Sequence, residues 1–317
     1  MNFEFSADQA ALLDAVARVV ARHGATPATP TRLQYAPQFT NDLAQAGFFE
    51  CMRIEELGAV AATAMVIMVA GSPLCTEVAA SALVAPLLDE AVDGPVAVVW
   101  RGRESAPARF LPMANTLIRI REDGIDVARL QPSAERVDAI DSIFAYPMGT
   151  LRDPASVAWS ATAADRVAVV AAWRIGMAAE LVGSLDAGLQ SVLAHVRDRR
   201  QFGRPLGSFQ AVQHRLAECA MRIEGARWLV LKAASLGGEL DGLLAIGQAQ
   251  RISTRVCYDL HQFMGAMGLT LEHPLHRWTY RAKLLRSELG GADRQFIAAA
   301  ESAWGRKTGD IPMETAT

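Results

Sequence analysis

Apolar residues recur three and four positions apart over most of this chain, and the main exception is its central stretch. Leu12, Leu13, Val16, Val19 and Val20 form the first stripe, the spacing of one buried helix face. Ahead of it, Ser6-Ala7-Asp8-Gln9 reads as a capping box. Ser6 accepts from the backbone of the third helical residue while the Gln9 side chain reaches back. Pro27, Pro30 and Pro37 interrupt the pattern, and helical periodicity resumes through Asp42–Gly47, Ile54–Val69 and Thr76–Leu88. Between Pro95 and Pro154 the period shortens. Val96–Trp100, Thr116–Ile120 and Gly124–Ala128 are β-type runs separated by Gly, Pro and Asp, a small segment of four or five strands. From Ala161 the helical period returns in four long segments, Asp165–Arg199, Phe209–Leu236, Leu243–Met267 and Leu275–Ala303. Four such segments predict an antiparallel bundle. The expected fold is therefore mainly α with a small central β domain (α+β): a helical domain over 1–94, a β domain over 95–154 and a four-helix bundle over 155–317. The tail after Trp304 is polar.

Composition narrows the function without naming it. The 317 residues are 51% hydrophobic and 21% charged, with a net charge of −3, which leaves ample apolar surface for a core and for an oligomer interface. A slightly acidic balance with dispersed arginines argues against nucleic acid. Cys51, Cys75, Cys219 and Cys257 sit singly in apolar segments without metal-ligand spacing and read as reduced core thiols. The histidines are unclustered, so no metal is expected. The first residues, Met-Asn-Phe-Glu-Phe-Ser, lack a basic region followed by an apolar run, so no signal peptide is expected. The longest apolar stretch, Ala59–Ala70, is short of the roughly 20 residues that span a bilayer. A soluble, cytoplasmic protein without a membrane partner is expected. There is no G-x-G-x-x-G after a strand, no P-loop and no G-x-S-x-G elbow, so phosphate binding by the usual dinucleotide route is not expected.

Two stretches carry chemistry. Residues 197–213 form a cationic turn between long apolar-periodic segments: Arg199, Arg200, Gln201, Phe202, Gly203 and Arg204, then Phe209, Gln210 and Gln213. Arginine forks match phosphate and stack on flat rings, so the turn suits an anionic, planar ligand. A tight helix–helix connection with a solubilising charge cluster accounts for it equally well. The second stretch, Tyr258–Gly268, places Gln262 before Gly265 and Gly268 near a helix end. Glycine there admits a ligand close to the backbone or a neighbouring helix.

Taken in order and spacing, these residues resemble the acyl-CoA dehydrogenase family. The resemblance rests on Arg199-Arg200-Gln201-Phe202-Gly203, Leu206, Phe209-Gln210, Gln213 and Leu216. It continues with Gln262, Gly265, Gly268, Glu272, Pro274, Arg277, Ala282 and Lys283. Phe5–Gln9 and Asp42–Phe48 are similar to the family's early stretches. It implies the α, β, α architecture and FAD as cofactor. It also implies that Arg199 and Gln210 hold the adenosine-diphosphate half of FAD and that Gln262, Phe263, Met264, Gly265 and Ala266 contact it, with the flavin ring lying in a neighbouring subunit. Phe202 is expected against the cofactor or beside it, or else in the core.

Two departures from the family pattern shape the functional reading. The resemblance implies a glutamate that removes the α-proton of an acyl-CoA; carried across without gaps, its position falls on Leu289, followed by Gly290. The alternative location early in the first bundle helix falls at about Trp173. Glu288 is one residue away from the first position, and Glu180 lies one to two turns along that first helix. One residue rotates a helical side chain by roughly 100°, so Glu288 serves as the base only where the backbone departs from a helix. The β segment is also about half the family's usual size and lacks its acidic glycine-serine turn and Trp-containing strand motif. A partner subunit of a mixed α2β2 assembly is thus expected, contributing half of a shared FAD site for dehydrogenation of an acyl-CoA thioester. Some relatives of that kind act on bulky steroid-like acyl groups. Two alternatives stand beside this: a self-sufficient homo-oligomer, dimer or tetramer, with Glu288 as a displaced base, and a non-catalytic acyl-CoA or flavin-binding scaffold. Electron-transfer flavoprotein is the acceptor that the resemblance implies.

Overall fold

The computed structural model describes residues 4–24, 31, 33, 35–131 and 136–305. Pro27, Pro30 and the tail beyond Gly305 lie outside the described residues. The chain opens with helix α1 (Ala7–His23), and both halves of the capping box form: Ser6 accepts from the Gln9 amide and Gln9 from that of Ser6. Pro37 does not interrupt a helix. It opens α2 (Pro37–Gln45) in the first turn, where a missing N–H costs nothing. Helix α3 (Gly58–Ala70) follows, starting later than the apolar run from Ile54 predicts. The stretch 76–88 is helical but irregular, with a π-helical turn at Ala80–Val84 and a 3-10 turn at Ala85–Leu87.

The middle of the chain is β, in more strands than the four or five that the sequence predicts. Strands β1 (Val96–Trp100), β3 (Thr116–Ile120), β4 (Ile125–Arg129) and β7 (Ser160–Ala161) form one sheet in the order β1-β3-β4-β7. Strands β2 (Ala108–Arg109), β6 (Met148–Leu151) and β5 (Val137–Ile140) form a second, in the order β2-β6-β5. β1 and β3 run parallel; the other neighbours are antiparallel. Period two explains the layering. Val96, Val98, Ile118, Ile120, Ile125 and Val127 face the helices and join the main core. Ala97, Val99, Leu117 and Ala128 point the other way and close a second core with Val137 and Leu151 of the smaller sheet. A strand buried on both faces reads as a continuous apolar run, which is how Val96–Trp100 reads.

Helices α4 (Arg166–Asp198), α5 (Gln210–Leu236) and α6 (Glu239–Met264) follow, with a two-stranded hairpin, β8 (Arg200–Gln201) and β9 (Arg204–Pro205), between the first two. α4 is long and apolar enough to cross a membrane by length and composition, although Arg174, Glu180 and Asp186 interrupt its apolar run. However, 83% of its most apolar window is buried, because it is the central helix packed between α3, α5, α6 and α7. The fourth predicted segment is not one helix. It is α7 (Leu275–Leu285) and α8 (Gly291–Trp304), separated by a break at Glu288–Gly290. There Leu289 has φ 56°, Gly290 φ 86° and Gly291 φ 75°, left-handed values that end an α-helix.

Candidate functional site

A cleft of about 1560 Å³ opens between the β layer and the bundle. Its floor is one face of α4, where Arg166, Val170, Trp173, Arg174 and Glu180 recur at helical spacing. The opposite wall is the end of β1 with Arg109 and Phe110, and the lip is Ser287–Gly290 at the α7–α8 break. The break is built by two buried glutamines. Gln250 on α6 donates from Nε2 to the carbonyls of Leu285 and Glu288, both at 2.9 Å, and Gln295 on α8 donates to that of Leu289 at 2.7 Å. Carbonyls orphaned at the end of α7 are thus satisfied by side chains. Glu288 and Leu289 consequently both line the cleft. The departure from a continuous helix that a displaced carboxylate at 288 requires is present. Replacing Gln250 by Leu removes both bonds and leaves buried carbonyls unpaired, and we expect a loss of about 2–4 kcal/mol in urea unfolding. A loss below 0.5 kcal/mol on the order of surface substitutions would mean that water replaces the glutamine.

The inner wall pairs Glu180, which the sequence places near the alternative base position, with Arg109, which the sequence does not single out. Arg109 Nη1 donates to Glu180 Oε2 at 2.5 Å, with both side chains 4% exposed. The Tyr146 hydroxyl donates to the same oxygen at 3.3 Å. The guanidinium lies 4.8 Å from the Tyr146 ring centre and 5.3 Å from that of Trp173, within cation–π range. Burial opposes the charge on Arg109, but Glu180, Tyr146 and Glu288 together outweigh it and raise its pKa above the ordinary value. Burial, reinforced by Glu180, pushes the Tyr146 hydroxyl well above its ordinary value, so it stays a donor. Glu77, also on the cleft wall, is raised by burial. It accepts from the amides of Ala80 and Val96 at 2.9 and 3.2 Å, and from the Ser81 hydroxyl, tying the π-helical turn to β1. Among the described residues no group of His, Cys, Asp and Glu could hold a metal.

The residues singled out in the sequence lie elsewhere, at one end of the bundle. Arg199 caps α4, Gln210 opens α5 and Gln262 stands in the last turn of α6. Arg215, on the second turn of α5, reaches across to α6, where it pairs with buried Asp259 and covers the Phe263 ring at 5.0 Å. Arg199, Gln210 and Gln262 are exposed, and their side chains make no hydrogen bond or ion pair within the described residues. The hairpin tip turns at Phe202 and Gly203, with φ 52° and 80°, the left-handed pair of a tight two-residue turn. Phe202 is not core: it is 86% exposed and meets only the edge of Phe209, over which Arg204 stacks at 4.0 Å. Met264 is 2% exposed and belongs to the core, unlike its exposed neighbours Gln262 and Gly265. Gly265, at φ 65° and ψ −147°, ends α6 in a conformation that a side chain would strain, and Ala266 beside it is exposed.

This corner fits half of a flavin nucleotide. The N-terminus of α5 has no side-chain cap, and the exposed Arg199, Arg200 and Arg204 lie on the connection that leads into it, residue types that suit a diphosphate. Among the described residues, the Arg199, Gln210 and Gln262 side chains that would grip it have no hydrogen-bond or ion-pair partner. Burial and then the nearby Arg199 charge lower the His195 pKa.

Residues 168–303 match the family described as acyl-CoA dehydrogenase, C-terminal domain. A probable acyl-CoA dehydrogenase of Bacillus subtilis (strain 168), YngJ, is 37% identical over 132 residues, which is 40% of this chain and 35% of that one. The chain thus matches about a third of that relative's length. Over the whole molecule the fold is similar to a chain of the ChsE4-ChsE5 complex from Mycobacterium tuberculosis (TM-score 0.71, 21% identity, 96% of this chain and 99% of that one). It is similar likewise to butyryl-CoA dehydrogenase from Megasphaera elsdenii (TM-score 0.74, 19% identity, 96% and 100%). Residues 168–303 thus carry the C-terminal domain of the acyl-CoA dehydrogenase family, within a chain whose fold is similar from end to end to these solved structures.

Proposed function

We propose that the chain works in FAD-dependent α,β-dehydrogenation of an acyl-CoA thioester as a partner subunit that supplies half of a shared FAD site. The observation that carries this reading is the set of Arg199, Gln210 and Gln262, exposed and without hydrogen-bond or ion-pair partners among the described residues, at the uncapped end of α5. Side chains placed there are turned away from their own cleft and suit a cofactor seated mainly in another chain. In this reading Arg199 and Gln210 grip the diphosphate, Gln262 and the backbone from Phe263 to Ala266 close over it, and Phe202 rests on the neighbouring subunit. FAD held there would supply the acceptor for the β-hydrogen of the acyl group as hydride. The cleft walled by α4 and β1 would receive the acyl group and exclude water from it. Electrons would pass on to an electron-transfer flavoprotein, and a cytoplasmic setting follows from reduced thiols.

A second reading has its own observation. Glu288 lines the cleft at the helix break, where a carboxylate could take the α-proton in a self-sufficient homo-oligomer. The two separate cleanly. The chain purified alone is expected to be colourless and inactive, and to gain one flavin per pair of chains when co-expressed with a second dehydrogenase subunit. A yellow isolated chain whose turnover is abolished by Glu288→Gln would replace the first reading by the second. In the assembly, Arg199→Ala removes a charge-assisted contact of about 1.5–3 kcal/mol and should weaken FAD retention at least about tenfold on gel filtration. Unchanged flavin content would take Arg199 out of the site.

A further inference from the structure

Gln210 and Gln262 stand on different helices, so the distance between them is set by how α5 lies against α6. The two helices form an antiparallel hairpin that turns at Gly237 and Gly238. Buried residues of both, among them Leu216, Cys219 and Ile223 on α5 and Val256 and Leu260 on α6, join the core. Apolar contact is non-directional and leaves the axial register loosely fixed. Ion pairs cross the hairpin near both of its ends. Lys232 pairs with Asp241 at 2.9 Å near the turn, and Arg215 pairs with Asp259 near the open end. Asp259 is 1% exposed and also accepts from Arg255 Nε at 3.0 Å and, weakly, from the Cys219 thiol at 3.7 Å. Gln210 precedes Arg215 by as many residues as Met264 follows Asp259. The register that this pair fixes therefore brings Gln210 level with the last turn of α6, where Gln262 stands. The Arg215 guanidinium also lies 5.0 Å from the centre of the Phe263 ring and 5.8 Å from that of Tyr258, within cation–π range. It thus holds the ring next to Gln262 and the ring one turn before it.

We propose that Arg215 is a positioning residue for the flavin nucleotide: tied to Asp259 and stacked on Phe263, it fixes α5 against α6 so that Gln210 and Gln262 meet the cofactor at one set spacing. This rests on the reading that the corner holds FAD. Arg215 acts through the two glutamines and need not touch the cofactor itself. Groups that grip a ligand do so well only where their supports lock them within about 0.5 Å of the bound geometry. The Lys232–Asp241 pair braces the same two helices without setting this spacing, because Lys232 lies roughly 25 Å further along α5 at about 1.5 Å per residue.

The test is the FAD affinity of the assembly stripped of its flavin, read from the change in flavin fluorescence on titration with FAD, with urea unfolding of each variant beside it. Arg215→Met is expected to weaken FAD binding about tenfold, the worth of roughly one charge-assisted contact. Lys232→Met removes the brace at the far end and should leave FAD affinity within about twofold of the unaltered protein. Arg215→Lys keeps a cation for Asp259 and should hold affinity within about threefold. Arg215→Met together with Asp259→Leu leaves no buried charge unpaired. This double variant should recover stability while FAD stays about tenfold weaker, and it carries the test where Arg215→Met alone fails to fold. Full affinity in the double variant, equal FAD losses from Arg215→Met and Lys232→Met, or an Arg215→Lys protein as weak as Arg215→Met would overturn the inference. Arg199→Ala separates it from the reading beneath it. If Arg199→Ala weakens FAD binding and Arg215→Met does not, this inference alone falls; if neither does, the corner does not hold FAD and both fall.

Discussion

Glu180→Met is expected to cost about 3–5 kcal/mol of folding stability, the usual penalty for breaking a buried ion pair from one side. The magnitude comes from what is left behind. Arg109 does not deprotonate, so its charge would remain 94% out of water with only aromatic faces around it, and Tyr146 would lose the oxygen to which it donates. The pair itself need not be a net stabiliser, because desolvating two charges offsets most of their attraction. A double variant separates the two effects. Arg109→Met with Glu180→Met removes both charges and fills the space with apolar atoms, and should be more stable than Glu180→Met alone. Urea unfolding of the four proteins in the cycle measures this. A single-variant loss below about 1 kcal/mol, the surface ion-pair range, would mean that cleft water solvates the guanidinium freely. The prediction bears on function because the same wall faces the proposed acyl group.

Much of the architecture is legible in the chain, for identifiable reasons. The long stripes in α4, α5 and α6 are read because each helix buries a fixed face over many turns, and Val96–Trp100 because a doubly buried strand is continuously apolar. The end of the bundle is legible because Arg199, Gln210 and Gln262 sit near helix ends in a recognisable order. The wall of the cleft is not. Arg109 and Glu180 are 71 residues apart, and each looks like an isolated charge in an apolar run; only folding puts them in contact. Their local signal is slight: a lone Arg between Ala108 and Phe110, and a lone Glu in a segment of Met, Ala and Leu. Charges so placed must find a partner or remain unpaid in the core, but which partner is a tertiary fact. The break at Glu288–Gly290 is half legible. Consecutive glycines at 290 and 291 signal a helix end, while the support from Gln250 and Gln295 comes from elsewhere in the bundle. The continuous fourth helix expected over Leu275–Ala303 fails there because the period persists on both sides of a short interruption.

Gly183→Ala is the other change expected to be severe, costing about 3 kcal/mol or more by overpacking. In α4 this glycine lies against α3, where a methyl group would overlap the carbonyl oxygen of Ile67 and stand 3.0 Å from Cβ of Ala70. A backbone oxygen has no rotamer to change, so α3 and α4 must separate along their crossing. Gly225 in α5 supplies the control, since a methyl there meets nothing within 4 Å. There only the helix-propensity gain acts, and Gly225→Ala should stabilise by about 0.5–1 kcal/mol. Opposite signs for one chemical change at two helical glycines would show that approach distance, not glycine's flexibility, fixes residue 183. A Gly183→Ala protein as stable as the unaltered chain would mean that the two helices slide at little cost. The cleft is coupled to this contact: Glu180 stands one turn before Gly183, and a shift of α4 large enough to admit the methyl would draw its carboxylate from Arg109. The small residue at the crossing therefore sets how deeply α4 seats, and with it whether the charged wall of the cleft closes.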